Sequence, residues 1–206
     1  MTSLRPAHGG PPRWLWAGTV LAGLVLGAGS VAPYVYTSGP LHILGNSAAI
    51  WLVFAFGVGA VAGLPLRGAI AGTVLLIATV LAFFVTYKLL FPHDHVRRVA
   101  AFWLGTALVG GPVFGLAGGV WRSGDATWRG MTAAMVGGSF IAEAIAFQPT
   151  GEVWRLAEGV VGVALCLVLA TGRRARLVAL CALPVFVGIG LLGWDLTKHA
   201  INIGLA

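Results

Sequence analysis

Glu143 sits in the stretch GGSFIAEAIAFQ, residues 137–148, inside a run that otherwise reads as membrane. It is the only acid between Asp125 and Glu152. A charged side chain at the centre of a membrane helix costs roughly 2.5–3.5 kcal/mol on insertion scales. Such residues face a bundle interior, pair with one another, or mark a ligand, ion or proton pathway. Four or five residues separate Glu143 from the outer end of its span, about 6–8 Å at the helical rise. That is further than a glutamate snorkels. Lys88, Lys198 and Tyr87 stand at similar depth. Two readings follow: an ion pair with Lys88 or Lys198, or a carboxylate that looks into an outward cavity.

Other polar groups gather at the same end. Asn46 and Ser47 open the second span, and Thr86, Tyr87 and Lys88 close the third. PHDHVRR follows, with His93, Asp94, His95, Arg97 and Arg98. Gln148, Glu158, Asp195, Lys198 and His199 complete the set. The expectation is an outward-facing polar pocket with Glu143 as its charged anchor and Tyr87, Lys88, Asn46 and Trp103 in its wall. Such a pocket would make the chain a small-molecule binding or transport subunit. Two rivals stand beside it: a membrane-embedded enzyme using Glu143 with the His and Asp groups, and a structural partner subunit without a ligand.

Other chemistry finds little support. Asp195 and His199 share a helix face at i and i+4, but His93 and His95 follow Pro92 in a loop, and no span carries paired histidines. Ser139 has no intramembrane histidine to activate it. No phosphate-binding glycine loop and no GxSxG elbow is present. Neither a metal nor a cofactor is expected.

The elements that must position these groups follow from composition. Of 206 residues, 58% are hydrophobic and 9% charged, against about 25% charged in soluble domains. The apolar runs are continuous rather than alternating, which excludes a transmembrane β-barrel. The fold class is therefore all-α: an integral membrane bundle of about seven transmembrane helices, near residues 14–36, 46–64, 67–91, 99–121, 130–148, 153–171 and 177–198. Each approaches the ~20 residues that cross the hydrocarbon. Residues 1–13 read as a cytoplasmic leader, 14–198 as one transmembrane domain, and 199–206 as a short tail. Cys166 and Cys181 fall inside spans and read as small apolar core residues.

The net charge of +7 does not indicate nucleic acid, because the basic residues sit at helix ends rather than on a soluble element. With the N-terminus cytoplasmic, inner segments carry Arg5, Arg13, Arg67, Arg122, Arg129, Arg173, Arg174 and Arg176. Outer segments carry Lys88, Arg97, Arg98, Arg155 and Lys198. Eight against five is the bias expected of a cytoplasmic side. The expected setting is the cell membrane, crossed several times. The expected partners are the lipid bilayer, a small-molecule ligand and a partner membrane subunit.

Internal echoes are present. Trp51, Trp103 and Trp154 each begin an outward-starting hairpin, and FGVGAVAGLPLRGAIAG resembles FGLAGGVWRSGDATWRGMTAAMVGG with a longer turn. Four GxxxG pairs, Gly23/Gly27, Gly59/Gly63, Gly68/Gly72 and Gly111/Gly115, let backbones approach closely. Spread over four spans, they suit packing within one bundle better than a dimer face. Pro112 and Pro184 each remove a backbone donor within a span.

The stretches NSAAIWLVFAFGVGA, LRGAIAG, WLGTALVGGPVFGLAGGVWR and GSFIAEA resemble a family of uncharacterised bacterial membrane proteins of about 200 residues. The likeness covers roughly half the chain, from Asn46 to Ala144, and implies a fold but no mechanism. The layout is also similar to the substrate-capture subunits of energy-coupling-factor vitamin transporters, small glycine-rich bundles that bind a ligand near the outer face. Those have six spans where seven are read here.

Overall fold

The turn GLPLRG shows how the local sequence stops one helix and starts the next. Gly63 takes φ 73° and its N–H bonds the Gly59 carbonyl, a left-handed end that L side chains rarely adopt. Pro65 then opens the following helix, where its missing N–H costs nothing. The adjoining turn, RSGDATWR, is set by Asp125, whose Oδ1 accepts from the N–H groups of Thr127 at 2.9 Å and Trp128 at 3.1 Å. A side-chain oxygen there satisfies donors that have no partner within the helix. Gly172, at φ 94°, makes the last tight turn.

The computed structural model describes residues 13–37, 42, 45, 47–92, 96–146 and 152–205, with side chains only as far as 199. Among the described residues there are seven helices: α1 (Arg13–Tyr36), α2 (Ala48–Ala62), α3 (Pro65–Leu90), α4 (Arg97–Ser123), α5 (Ala126–Ala146), α6 (Glu152–Leu169) and α7 (Arg173–Leu205). Among the described residues there is no strand. The protein is all-α, a helical bundle. By length and composition α1, α3, α4 and α7 are each apolar and long enough to cross a membrane. The apolar helix α2 has only 15 residues. Helix α7 runs on to Leu205, so most of the expected tail is helical.

The helices pack as two groups. Helices α1 to α4 form the first, in which α3 lies against α1, α2 and α4. Helices α5 to α7 form the second, with α5 at its centre. Two cores form, the larger reaching from the first group to Val136 of α5. Val31, Trp51, Phe56, Leu75, Val80 and Phe83 belong to the first, and Ala133, Ala134, Cys166, Ala175 and Ala179 to the second. Between the groups, α5 touches α2 and α4, while α7 barely meets α4.

Glycine is what brings α2, α3 and α4 together. A Cβ on Gly59 or on Gly68 would strike the Gly115 carbonyl, and one on Gly72 would strike that of Gly111. The Gly68/Gly72 and Gly111/Gly115 pairs thus face each other within the bundle. Gly23 and Gly27 play the same part between α1 and α3, with a Gly23 Cβ placed 2.6 Å from the Leu75 carbonyl oxygen. The Gly59/Gly63 pair divides its labour: Gly59 packs and Gly63 ends the helix. Helix α4 continues through Pro112 and α7 through Pro184.

Candidate functional site

Ser47 and the start of α2 explain where Glu143 goes. A helix N-terminus has N–H groups without intrahelical partners, and its dipole favours an acidic group. At α2 the Ser47 hydroxyl accepts from Ile50 N–H at 3.2 Å, which leaves the amides of Ala48 and Ala49. Glu143, reaching across from α5, supplies the second acceptor. Its Oε2 receives the Ala49 N–H at 2.7 Å, and Ser47 and the Ala48 amide also bond the carboxylate. Glu143 is 1% exposed. One side chain thus caps a helix belonging to the other group.

Of the two readings of Glu143, the ion pair is not formed. Neither Lys88 nor Lys198 meets the Glu143 carboxylate. Lys198 Nζ donates to the Ala146 carbonyl at 2.7 Å, and Arg155 Nε donates to that of Ala144 at 3.0 Å. Both cations cap the C-terminus of α5, where carbonyls are left over and positive charge is favoured. Lys88 Nζ donates to the Pro92 carbonyl. Glu158 on α6 is the carboxylate within electrostatic range of Glu143.

Beside the cap, α2, α3 and α4 part from α5 and α7 around a cavity of about 380 Å³. Trp51, Trp103, Phe114, Met135, Phe186 and Trp194 supply most of its bulk, and Glu143 lines the end nearest the start of α2. Ser139 and Thr106 are in the wall, but their hydroxyls donate to their own helices, at Val136 and Trp103 carbonyls, each at 2.8 Å. The pocket was expected to be polar, and it is apolar. The polar groups nearest it are consumed in ending or lining helices.

Of the expected wall residues, Glu143 and Trp103 are brought together in this cavity. Tyr87 and Lys88 are not in its wall. Tyr87 lies instead in an aromatic cluster with Tyr34 at 6.1 Å, Phe83 at 6.3 Å and Phe91 at 5.0 Å between ring centroids. Trp51 joins the two regions, with Phe83 at 5.7 Å and Trp103 at 6.2 Å. Asn46, together with His93, Asp94, His95 and Gln148, lies outside the described residues. Among the described residues no three His, Cys, Asp or Glu side chains group as metal ligands would.

Sequence reading missed Phe114, Met135, Phe186 and Trp194. Only the polar start of α2 carried a signal, because a serine ahead of an apolar run marks a helix N-terminus.

Fold and cleft together define an all-helical protein of membrane-type composition, built as four helices and three around an apolar cavity. The chain belongs to a family of unknown function, DUF6518, whose model matches residues 7–200. No curated protein and no solved structure matches it. The layout likeness to transporter capture subunits gains no support from these comparisons.

Proposed function

We propose that this chain is a multi-pass cell-membrane protein, N-terminus cytoplasmic, that holds a small molecule in the cavity between its two helix groups. The observation that carries this reading is the cavity itself. Within each group glycines bring backbones into contact, yet between the groups about 380 Å³ is left unfilled by side chains. A bundle selected only for stability closes such gaps, since interiors pack like organic crystals. Pockets of roughly 300–1,000 Å³ walled by aromatic and apolar residues are the usual form of small-molecule sites. In this reading Trp103 contacts the ligand, and Glu143 acts through the wall it fixes. The bilayer is the protein's surroundings, and a partner membrane subunit would be needed only if binding is coupled to transport.

Native mass spectrometry of the full-length protein, released from mild detergent, tests this. Wild type is expected to retain a small molecule, and Ala107→Phe, which projects a ring into the cavity from α4, to lose it together with the ligand's share of thermal stability. Wild type that retains nothing, with the same melting temperature as Ala107→Phe, overturns the reading.

A further inference from the structure

The cavity beside Glu143 has a neighbour. A second space of about 350 Å³ lies deeper along the same seam, lined by Pro112, Leu116, Val120, Trp128, Met131 and Thr132. Val113, Met135 and Phe186 belong to both walls. The two spaces are therefore adjoining halves of one groove, pinched where these three side chains meet. Along α4 the groove runs from Trp103 to Val120, about 25 Å at the helical rise. That is close to the ~30 Å hydrocarbon thickness of a bilayer.

Both ends of the seam are fastened. At the outer end Glu143 bonds the Ala49 amide across the two groups. At the inner end Trp121 Nε1 donates to the Leu169 carbonyl at 2.8 Å, joining α4 to the end of α6. Between these clasps the seam is open sideways. Val113 and Ile189, both wall residues, are 48% and 56% exposed, and Leu116 and Trp128 of the deeper half are also exposed. In a bilayer those surfaces meet lipid, not water. The wall hydroxyls offer no donor to a polar guest. Besides Ser139 and Thr106, Thr132 donates to the Trp128 carbonyl and Thr197 to that of Gly193.

We infer that this groove takes one hydrocarbon chain of a bilayer lipid, entering sideways between α4 and α7, with its polar end toward Trp103. The inference rests on the binding reading above and names its ligand class. Length, apolar wall and lateral opening suit a chain lying parallel to the helices. Trp103 stands near the end of the groove where indoles are enriched, at headgroup level. Met135, flexible and polarizable, is suited to a throat that must adjust to a chain.

The test uses the full-length protein in nanodiscs of phosphatidylcholine that carries a photoactivatable diazirine in one acyl chain. After irradiation, adducts are mapped by peptide mass spectrometry. Val113, Met135 and Phe186 are expected to be labelled several-fold more than Val160 and Val168, which are exposed on α6 away from the groove. Labelling spread over all helices in proportion to exposure overturns the inference, because that is what surrounding lipid produces. Met135→Trp, which narrows the throat, is expected to lower labelling at Val120 and Met131 several-fold and leave α6 unchanged. A diazirine fatty acid in unlabelled nanodiscs is the second arm. Groove labelling by the fatty acid but not by the phospholipid overturns assignment to a bilayer lipid, while the binding reading stands. A water-soluble molecule found in the native mass spectrum, with no groove labelling by lipid, does the same.

Discussion

At the scale of single residues, Glu143 is a helix cap before it is anything else. Its carboxylate satisfies amides at the start of α2 that would otherwise be buried without partners. Leaving buried donors unsatisfied costs about 1–3 kcal/mol each. Glu143→Leu is therefore expected to lower the melting temperature markedly, by about 2–4 kcal/mol of stability. Glu143→Gln keeps an acceptor oxygen and is expected to cost about 1 kcal/mol, a lost cap interaction rather than an orphaned amide. Thermal denaturation of the two variants in nanodiscs checks this. Leu equal to wild type or better would show that the cap is not what holds the carboxylate there. The sequence marked Glu143 as exceptional from its depth alone. Its partner was illegible, because a main-chain amide has no letter in a sequence.

At the scale of elements, glycine spacing decides which helices touch. Gly115→Ala places a methyl against the Gly68 carbonyl and is expected to destabilise by about 1–3 kcal/mol, or to prevent assembly. A Cβ at Gly18 or Gly29 on α1 would have nothing within 4 Å, so alanine there meets no clash. Those substitutions are expected to be neutral or to gain up to about 1 kcal/mol from helix propensity. Size-exclusion profiles and melting temperatures of Gly18→Ala, Gly29→Ala and Gly115→Ala compare them directly. Three GxxxG pairs pack inside the bundle as their spread over separate spans suggests. Gly63 is the exception, because the following Leu-Pro makes its neighbourhood a turn.

At the scale of the whole molecule, the hairpin turns at 63–64, 124–125 and 170–172 fall at one end of the bundle and the Glu143 cap at the other. In the orientation proposed, with a cytoplasmic N-terminus, the turns lie on the cytoplasmic side. In a chain lacking Cys166 and Cys181, Asp125→Cys and Thr171→Cys are expected to react with a membrane-impermeant thiol reagent only after permeabilisation, and Val96→Cys in intact cells. The reverse pattern would invert the topology.

The order of residues alone specifies the class: an all-helical bundle, near-correct helix boundaries, and the unusual depth of one carboxylate. These follow from local physics, namely hydropathy over about 20 residues and the cost of charge in hydrocarbon. The division into four helices and three, the transfer of Glu143 to the end of α2, and the apolar groove between the groups emerge only from how the helices pack. Tyr87 and Trp103 both sit near the outer end in the sequence, yet one packs against Tyr34 and Phe83 and the other lines the cavity. In a membrane helix every face is apolar, so periodicity does not say which face meets protein and which meets lipid. Backbone approach at the glycines makes that choice, and it can be seen only once the helices are together.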